Sequence, residues 1–177
     1  MLLDFFKTAA NLKNIPRQGW IDKLSMNDPE SVADHSYSMA IIGMVISDLE
    51  NCDSEKILRM ILLHDLAESR IGDLTPGQLS EERKAVMEND AFCQITDGLP
   101  DVIKSQYLKI WTEYQEDTSP ESRLVHQMDK LEMALQARSY QNDGYDPERL
   151  ESFFESAKAG ITNPRLKEIF AEIVGGS

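Results

Sequence analysis

At 177 residues, with 41% hydrophobic and 28% charged side chains, the chain has the profile of a globular domain able to bury a substantial core. Its formal net charge of −13, with no basic run of five or more residues, excludes a nucleic-acid binder that works through a basic surface. No apolar run approaches the ~18 residues of a membrane span. The opening MLLDFFKTAANLKN, cut by Asp4 and Lys7, does not read as a secretory signal, so the expected location is the cytoplasm with no membrane partner.

Helical periodicity runs through most of the chain. Residues 2–13 put Leu2, Phe5, Phe6, Ala9 and Leu12 on one face, and Pro16 ends the segment by disfavouring helix at Ile15. The stretch 16–30 carries Arg17 and Trp20, is rich in turn residues and shows no clear period. A second helix is expected over 32–50, with Met39, Ile42, Ile46 and Leu49 on a stripe that His35 begins. A third is expected over 54–70, with Ser54 as its N-cap and Gly72 as its stop. GDLTPGQ reads as loop. Further helices are expected over 80–97, 100–116, 119–142, 147–159 and 163–174, with Pro100, Pro120, Pro147 and Pro164 at their starts, where a missing N–H costs little. With no alternating strand pattern and no repeat, the expected fold is all-α: one compact helical bundle in a single domain.

The chemistry-bearing residues crowd into ILLHDLAESRIGDLTP, residues 61–76. On a continuous helix His64 and Glu68, and Asp65 and Glu68, would share a face. His64 and Asp65 lie ~100° apart around it and can reach one ion only at the edge of a buried face, with other ligands from elsewhere. Buried carboxylates without a partner are costly, and a divalent cation resolves that cost. The nitrogen and oxygen donors suit a transition metal better than calcium. His35 and Asp129, each beside an apolar stripe, are the candidates from other helices. His126 reads as a surface residue, Arg83 and Lys84 as a solvated helix face, and Cys52 and Cys93 as ordinary reduced thiols.

His35, then His64–Asp65, then Asp129 follows the H…HD…D order of the HD-domain superfamily of metal-dependent phosphohydrolases. HDLAESRIGDLTP resembles the HDxxExxxGDxxP segment of the HD-domain 5′-deoxynucleotidases. PRQGW, ESVADHS, IWTEYQ and QMDKLEMALQA are similar to the branch called HD domain-containing protein 2. The resemblance spans residues 12–166. It implies a single HD domain over 1–177, its metal-site core at about 30–142 and its C-terminal helices at 147–174. It further implies a divalent metal (Mn²⁺, Co²⁺, Mg²⁺ or Zn²⁺) on His35, His64, Asp65 and Asp129, and a catalytic acidic pair, Glu68 and Asp73. With the Leu74 backbone, that pair is also associated with a second metal. Arg17 is implied to meet the phosphate and Trp20 to shape the nucleoside pocket.

The function implied is hydrolysis of deoxynucleoside 5′-monophosphates to deoxynucleosides and phosphate, by a cytoplasmic homodimer. Metal and arginine would make the pocket positive inside an acidic protein, with Glu68 or Asp73 moving the proton. Another HD phosphohydrolase reading, cleavage of a pyrophosphate or alarmone, is disfavoured because those enzymes carry consecutive acids where this chain has HDLAES. Diiron and cyclic-dinucleotide variants need histidines beyond the three present. A non-catalytic metal-containing helical dimer ranks lower, since every motif carboxylate is in place.

Overall fold

A computed structural model describes residues 1–176, and among them every regular element is helical. The elements are α1 (Leu2–Asn11) with a 3-10 turn (Leu12–Asn14), α2 (Gln18–Leu24), α3 (Val32–Glu50), α4 (Ser54–His64), α5 (Glu68–Ile71), α6 (Glu81–Thr96), α7 (Asp101–Gln115), α8 (Pro120–Asn142), α9 (Pro147–Gly160) and α10 (Pro164–Gly175). Among the described residues no helix is long and apolar enough to cross a membrane.

Helix α3 starts where local chemistry demands it. The Ser31 hydroxyl accepts from the Asp34 amide, and the Asp34 carboxylate accepts from the Ser31 amide, a reciprocal capping box. Asp34 is thereby committed to the cap, and those Ser31 bonds hold its carboxyl below the ordinary value. The pairing of α3 with α4 and α8 forms the main core around Met39, Ile46, Met60, Ile61, Met128 and Leu131. Burying each such side chain is worth about 1.5–3 kcal/mol. A second cluster, including Leu63, Leu66, Phe92 and Trp111, packs α6 and α7 beneath the end of α4. A third joins Trp20, Leu24, Tyr140 and Leu150. The candidate residues lie where these clusters meet.

Several expectations change. The aperiodic stretch 16–30 contains α2, whose Trp20 and Leu24 are buried one turn apart. The N-cap of α4 is Asp53, whose carboxylate accepts from the Lys56 amide, and Ser54 is the first helical residue. The third expected helix is two helices: the chain leaves α-geometry at Asp65 (φ −105°, ψ 10°) and winds through i→i+3 bonds before α5. The shared-face argument for a continuous helix over 64–68 therefore does not hold. Leu49 is exposed rather than part of the core stripe, as are Leu2 and Phe6 on α1. Gly72 ends α5 with φ +79° and ψ 167°, a region that a side chain would make costly.

Candidate active site

Three backbone devices bring the residues together. The end of α4 delivers His64 and Asp65. An isolated antiparallel bridge between Pro16 and Ser31 ties the segment before α2 to the start of α3, with the Arg17 amide on the Glu30 carbonyl at 3.0 Å. That bridge sets Arg17 near His35. The turn at Gly72 then aims Asp73 at α2, where its Oδ2 accepts from the Gln18 amide at 2.8 Å.

The carboxylate and imidazole atoms converge on one point. His64 Nε2 lies 3.0 Å from Asp65 Oδ2, His35 Nε2 lies 3.3 Å from Asp129 Oδ1, and the Asp65 oxygen is 3.8 Å from His35 Nε2. One ligand atom each from His35, His64 and Asp129 lies within 4.8 Å of the others. Around a cation with bonds of ~2.1 Å, neighbouring ligand atoms sit roughly 3.0–3.4 Å apart. Among the described residues, His35 Nε2, His64 Nε2 and Glu68 Oε2 are buried without a hydrogen-bond partner. Buried orphan atoms of this kind are rare and call for an ion or water between them. The donor set, two imidazoles with carboxylates, fits a divalent transition metal.

The electrostatics agree. Burial pushes the His35 imidazole down, but the carboxylates of Asp129 and Glu132 outweigh it and raise it to about 10. Against burial, His64, Arg17 and His35 hold the Asp65 carboxyl down at about 2. His35 and Arg17 hold Asp129 well below the usual carboxylate range, again against burial. A corner that draws a proton onto a buried imidazole would draw a divalent cation in its place. Glu68 goes the other way: burial first, then Asp65 and Asp73, push its carboxyl well above the ordinary value.

These groups open onto a cavity of about 770 Å³, the size of a small-molecule site. Arg17, Asp65, Glu68, Asp73, Leu74 and Asp129 line it, while His35 backs it from the core. Arg17 Nη1 is 3.5 Å from Asp65 Oδ2, so its guanidinium lies at the edge of the corner. Trp20 is at the wall but only 2% exposed. Its Nε1 donates to Glu30 Oε1 at 2.8 Å, and its ring packs against Tyr140 and Phe153.

Sequence reasoning missed several wall residues. Lys84 is half-buried, lines the cavity, donates to the Leu74 carbonyl at 2.9 Å and lies 3.6 Å from Glu88. The only signal was Lys84–Glu88 at i,i+4, a spacing common on solvated faces. His126, expected at the surface, lines the cavity with its ring stacked on Tyr114 at 4.1 Å. Arg83 is exposed, as expected. Cys52 and Cys93 are free thiols.

Known proteins match along the same length. The model of the HD domain family matches residues 9–172. The human protein named 5′-deoxynucleotidase HDDC2 is 35% identical over 173 residues, 97% of this chain and 84% of the human one. The Saccharomyces cerevisiae protein named 5′-deoxynucleotidase YBR242W is 30% identical over 178 residues, 98% of this chain and 74% of its own. A conserved hypothetical protein from Pyrococcus furiosus superimposes with a TM-score of 0.77 at 32% identity, over 98% of this chain and 99% of that one. The histidine–aspartate pair at the end of α4, met by a histidine from α3 and an aspartate from α8, is thus carried by a chain that belongs to the HD domain family.

Proposed function

We propose that the chain is a metal-dependent 5′-deoxynucleotidase, hydrolysing deoxynucleoside 5′-monophosphates to deoxynucleosides and phosphate. One observation carries the reading. Buried orphan atoms of His35, His64 and Glu68 face a cavity that also holds Arg17, on a chain similar to proteins named 5′-deoxynucleotidase. His35, His64, Asp65 and Asp129 hold the metal. Its bound charge supplies Lewis-acid stabilisation of the phosphoryl group and lowers the pKa of water.

The protein's own groups do the rest. Arg17 offers its guanidinium fork to the phosphate oxygens. Glu68, whose carboxyl burial pushes well above its ordinary value, is the candidate to hand a proton to the departing 5′ oxygen. Asp73, bound to the Gln18 amide, fixes the start of α2 and so the direction of Arg17. Trp20 acts as a buried wall of the nucleoside end and presents no open ring face.

The working form is a homodimer. Helix α3 is apolar on both sides: its inner face fills the core, and Tyr37, Ile41, Met44, Val45 and Leu49 stand exposed on its outer face. A helix apolar all round is covered all round. The cytoplasm suits the two free thiols. The test is phosphate release from a panel of nucleoside and deoxynucleoside monophosphates with Mn²⁺, Co²⁺, Mg²⁺ and Zn²⁺ in turn. Turnover of the deoxynucleotides that disappears with chelator is expected, and metal-loaded protein inert to all of them removes the reading. Light scattering on Ile41→Glu checks the dimer: the variant should sediment and scatter as a monomer.

A further inference from the structure

The metal reading of the corner leaves one buried charge without a task. Glu132 is 1% exposed, on α8, three residues after Asp129. Three residues is one helical turn, so both carboxylates leave α8 on the same face. They grip the same ring from its two nitrogens: Asp129 Oδ1 lies 3.3 Å from His35 Nε2, and Glu132 Oε2 lies 2.5 Å from His35 Nδ1. His64 is held differently, its Nδ1 facing the Ile61 carbonyl at 2.6 Å, a neutral acceptor on its own helix.

An ionised carboxylate in a protein interior is costly, and an apolar side chain of the same shape would serve packing better. Its position gives it a purpose. An acceptor at Nδ1 keeps the ring proton there and turns the Nε2 lone pair toward Asp129 and His64. A carboxylate acceptor also makes the imidazole a stronger donor than a carbonyl does. Behind Glu132 lies Glu30, whose carboxylate accepts from Trp20 Nε1, so the Glu132 side chain is hemmed in between the pocket wall and the ring.

We propose that Glu132 is the positioning residue of the metal centre, fixing the His35 tautomer and its aim without touching metal or substrate. The inference rests on the metal reading above. The experiment is calorimetric titration of the metal-free protein with Mn²⁺ and with Zn²⁺, for wild type and Glu132→Gln, alongside the melting temperature of each metal-free form and the visible absorption spectrum of each Co²⁺ form. Glu132→Gln should bind metal about 10–100-fold more weakly and show a changed Co²⁺ spectrum. Its metal-free melting temperature should fall, because the buried His35 ring loses its carboxylate partner, so the Co²⁺ spectrum is the readout that a merely structural role would leave unmoved. Metal affinity within twofold of wild type overturns the proposal, as does an affinity loss with an unchanged Co²⁺ spectrum.

Long-range proton–nitrogen spectra of the Zn²⁺-loaded wild type provide a measurement that needs no variant. A proton on His35 Nδ1 supports the role, and metal on Nδ1 ends it. None of these readouts uses a nucleotide. A protein that passes them and hydrolyses nothing would lose the nucleotidase reading and keep Glu132 in its place.

Discussion

Gly43 is where the α3–α4 pairing, and with it the approach of His35 to His64, is tightest. A Cβ built on Gly43 would sit 2.2 Å from Ile61 Cδ1 and 3.4 Å from Ile57 Cγ2. Carbon atoms rest at about 3.5–4.0 Å, so the Ile61 tip must retreat by more than ~1 Å. Ile61 is fully buried and Ile57 closes the other side, so the core or α4 must move. Overpacking of this kind costs about 1–3 kcal/mol. Alanine in a helix interior returns about 1 kcal/mol over glycine. The net expectation for Gly43→Ala is a loss of about 1 kcal/mol, or ~2–4 °C in a domain of this size. Ile61→Val removes the obstructing atom itself and alone costs about 0.5–1.5 kcal/mol. In the Gly43→Ala background that cost should vanish, giving a coupling of about 1 kcal/mol in a urea double-mutant cycle on metal-free protein. Additivity within ~0.5 kcal/mol would refute the contact. Since the Ile61 carbonyl faces the His64 ring, Gly43→Ala should also weaken metal binding, and the double variant should restore it.

Three further outcomes test the corner. Metal at about 100 times its dissociation constant should stabilise wild type by ~2.7 kcal/mol, roughly 5–10 °C, and His64→Ala should lose the whole increment. A chelator that leaves the wild-type melting temperature unchanged contradicts the ligand assignment. Arg17→Lys keeps the charge but loses the fork, so kcat/KM for the nucleotide should fall about 10–100-fold through one charge-assisted hydrogen bond of ~1.5–3 kcal/mol; an unchanged value would place the phosphate elsewhere. Glu30 provides a pH signature. Burial and then Glu132 raise its carboxyl from 4.5 to about 7, so between those values the native state holds a proton that the unfolded chain has released. Stability from this group is therefore present at acid pH and lost as pH rises through 7, by up to ~3 kcal/mol. The urea midpoint of metal-free wild type, relative to Glu30→Gln, should fall between pH 5 and 7.5; parallel profiles would show that Glu30 is ordinary.

What the sequence disclosed follows from how strongly local physics overdetermined each feature. Helix α3 was legible over its full length because its apolar stripe recurs at steps of three and four, and the capping box at Ser31 starts it where that stripe requires. The prolines near the starts of α7 to α10 marked those boundaries for the same reason. Helix α2 was hidden because seven residues leave room for one apolar repeat, Trp20 to Leu24, within turn-forming composition. The break at Asp65 was hidden more completely. Ile61, Leu63, Leu66 and Ala67 continue a helical pattern across it, and neither glycine nor proline occurs before Gly72. Asp65 leaves the helix because its carboxylate is held by His64, His35 and Arg17, two of which arrive from distant sequence. Glu132 was invisible for a related reason: a glutamate within a helix reads as solvent-facing until the fold sets an imidazole against it.

The net charge of −13 gives the metal a task beyond chemistry. Seven carboxyl side chains and four cationic ones line the cavity, so as a set they repel a phosphate dianion. Two cations are already engaged, Arg17 by Asp65 and Lys84 by the Leu74 carbonyl and Glu88. Burial softens the imbalance at two positions, pushing Glu68 and Glu88 toward their neutral forms despite the Lys84 charge nearby. The remaining deficit is of the size a divalent cation supplies. In a low-dielectric corner such a charge outweighs distant surface acids screened within about 10 Å. Under the proposed function, metal loading is thus a condition for binding the phosphate at all. On the proposed reading, the same buried acids that make the site hostile to an anion are what fix the metal that admits it.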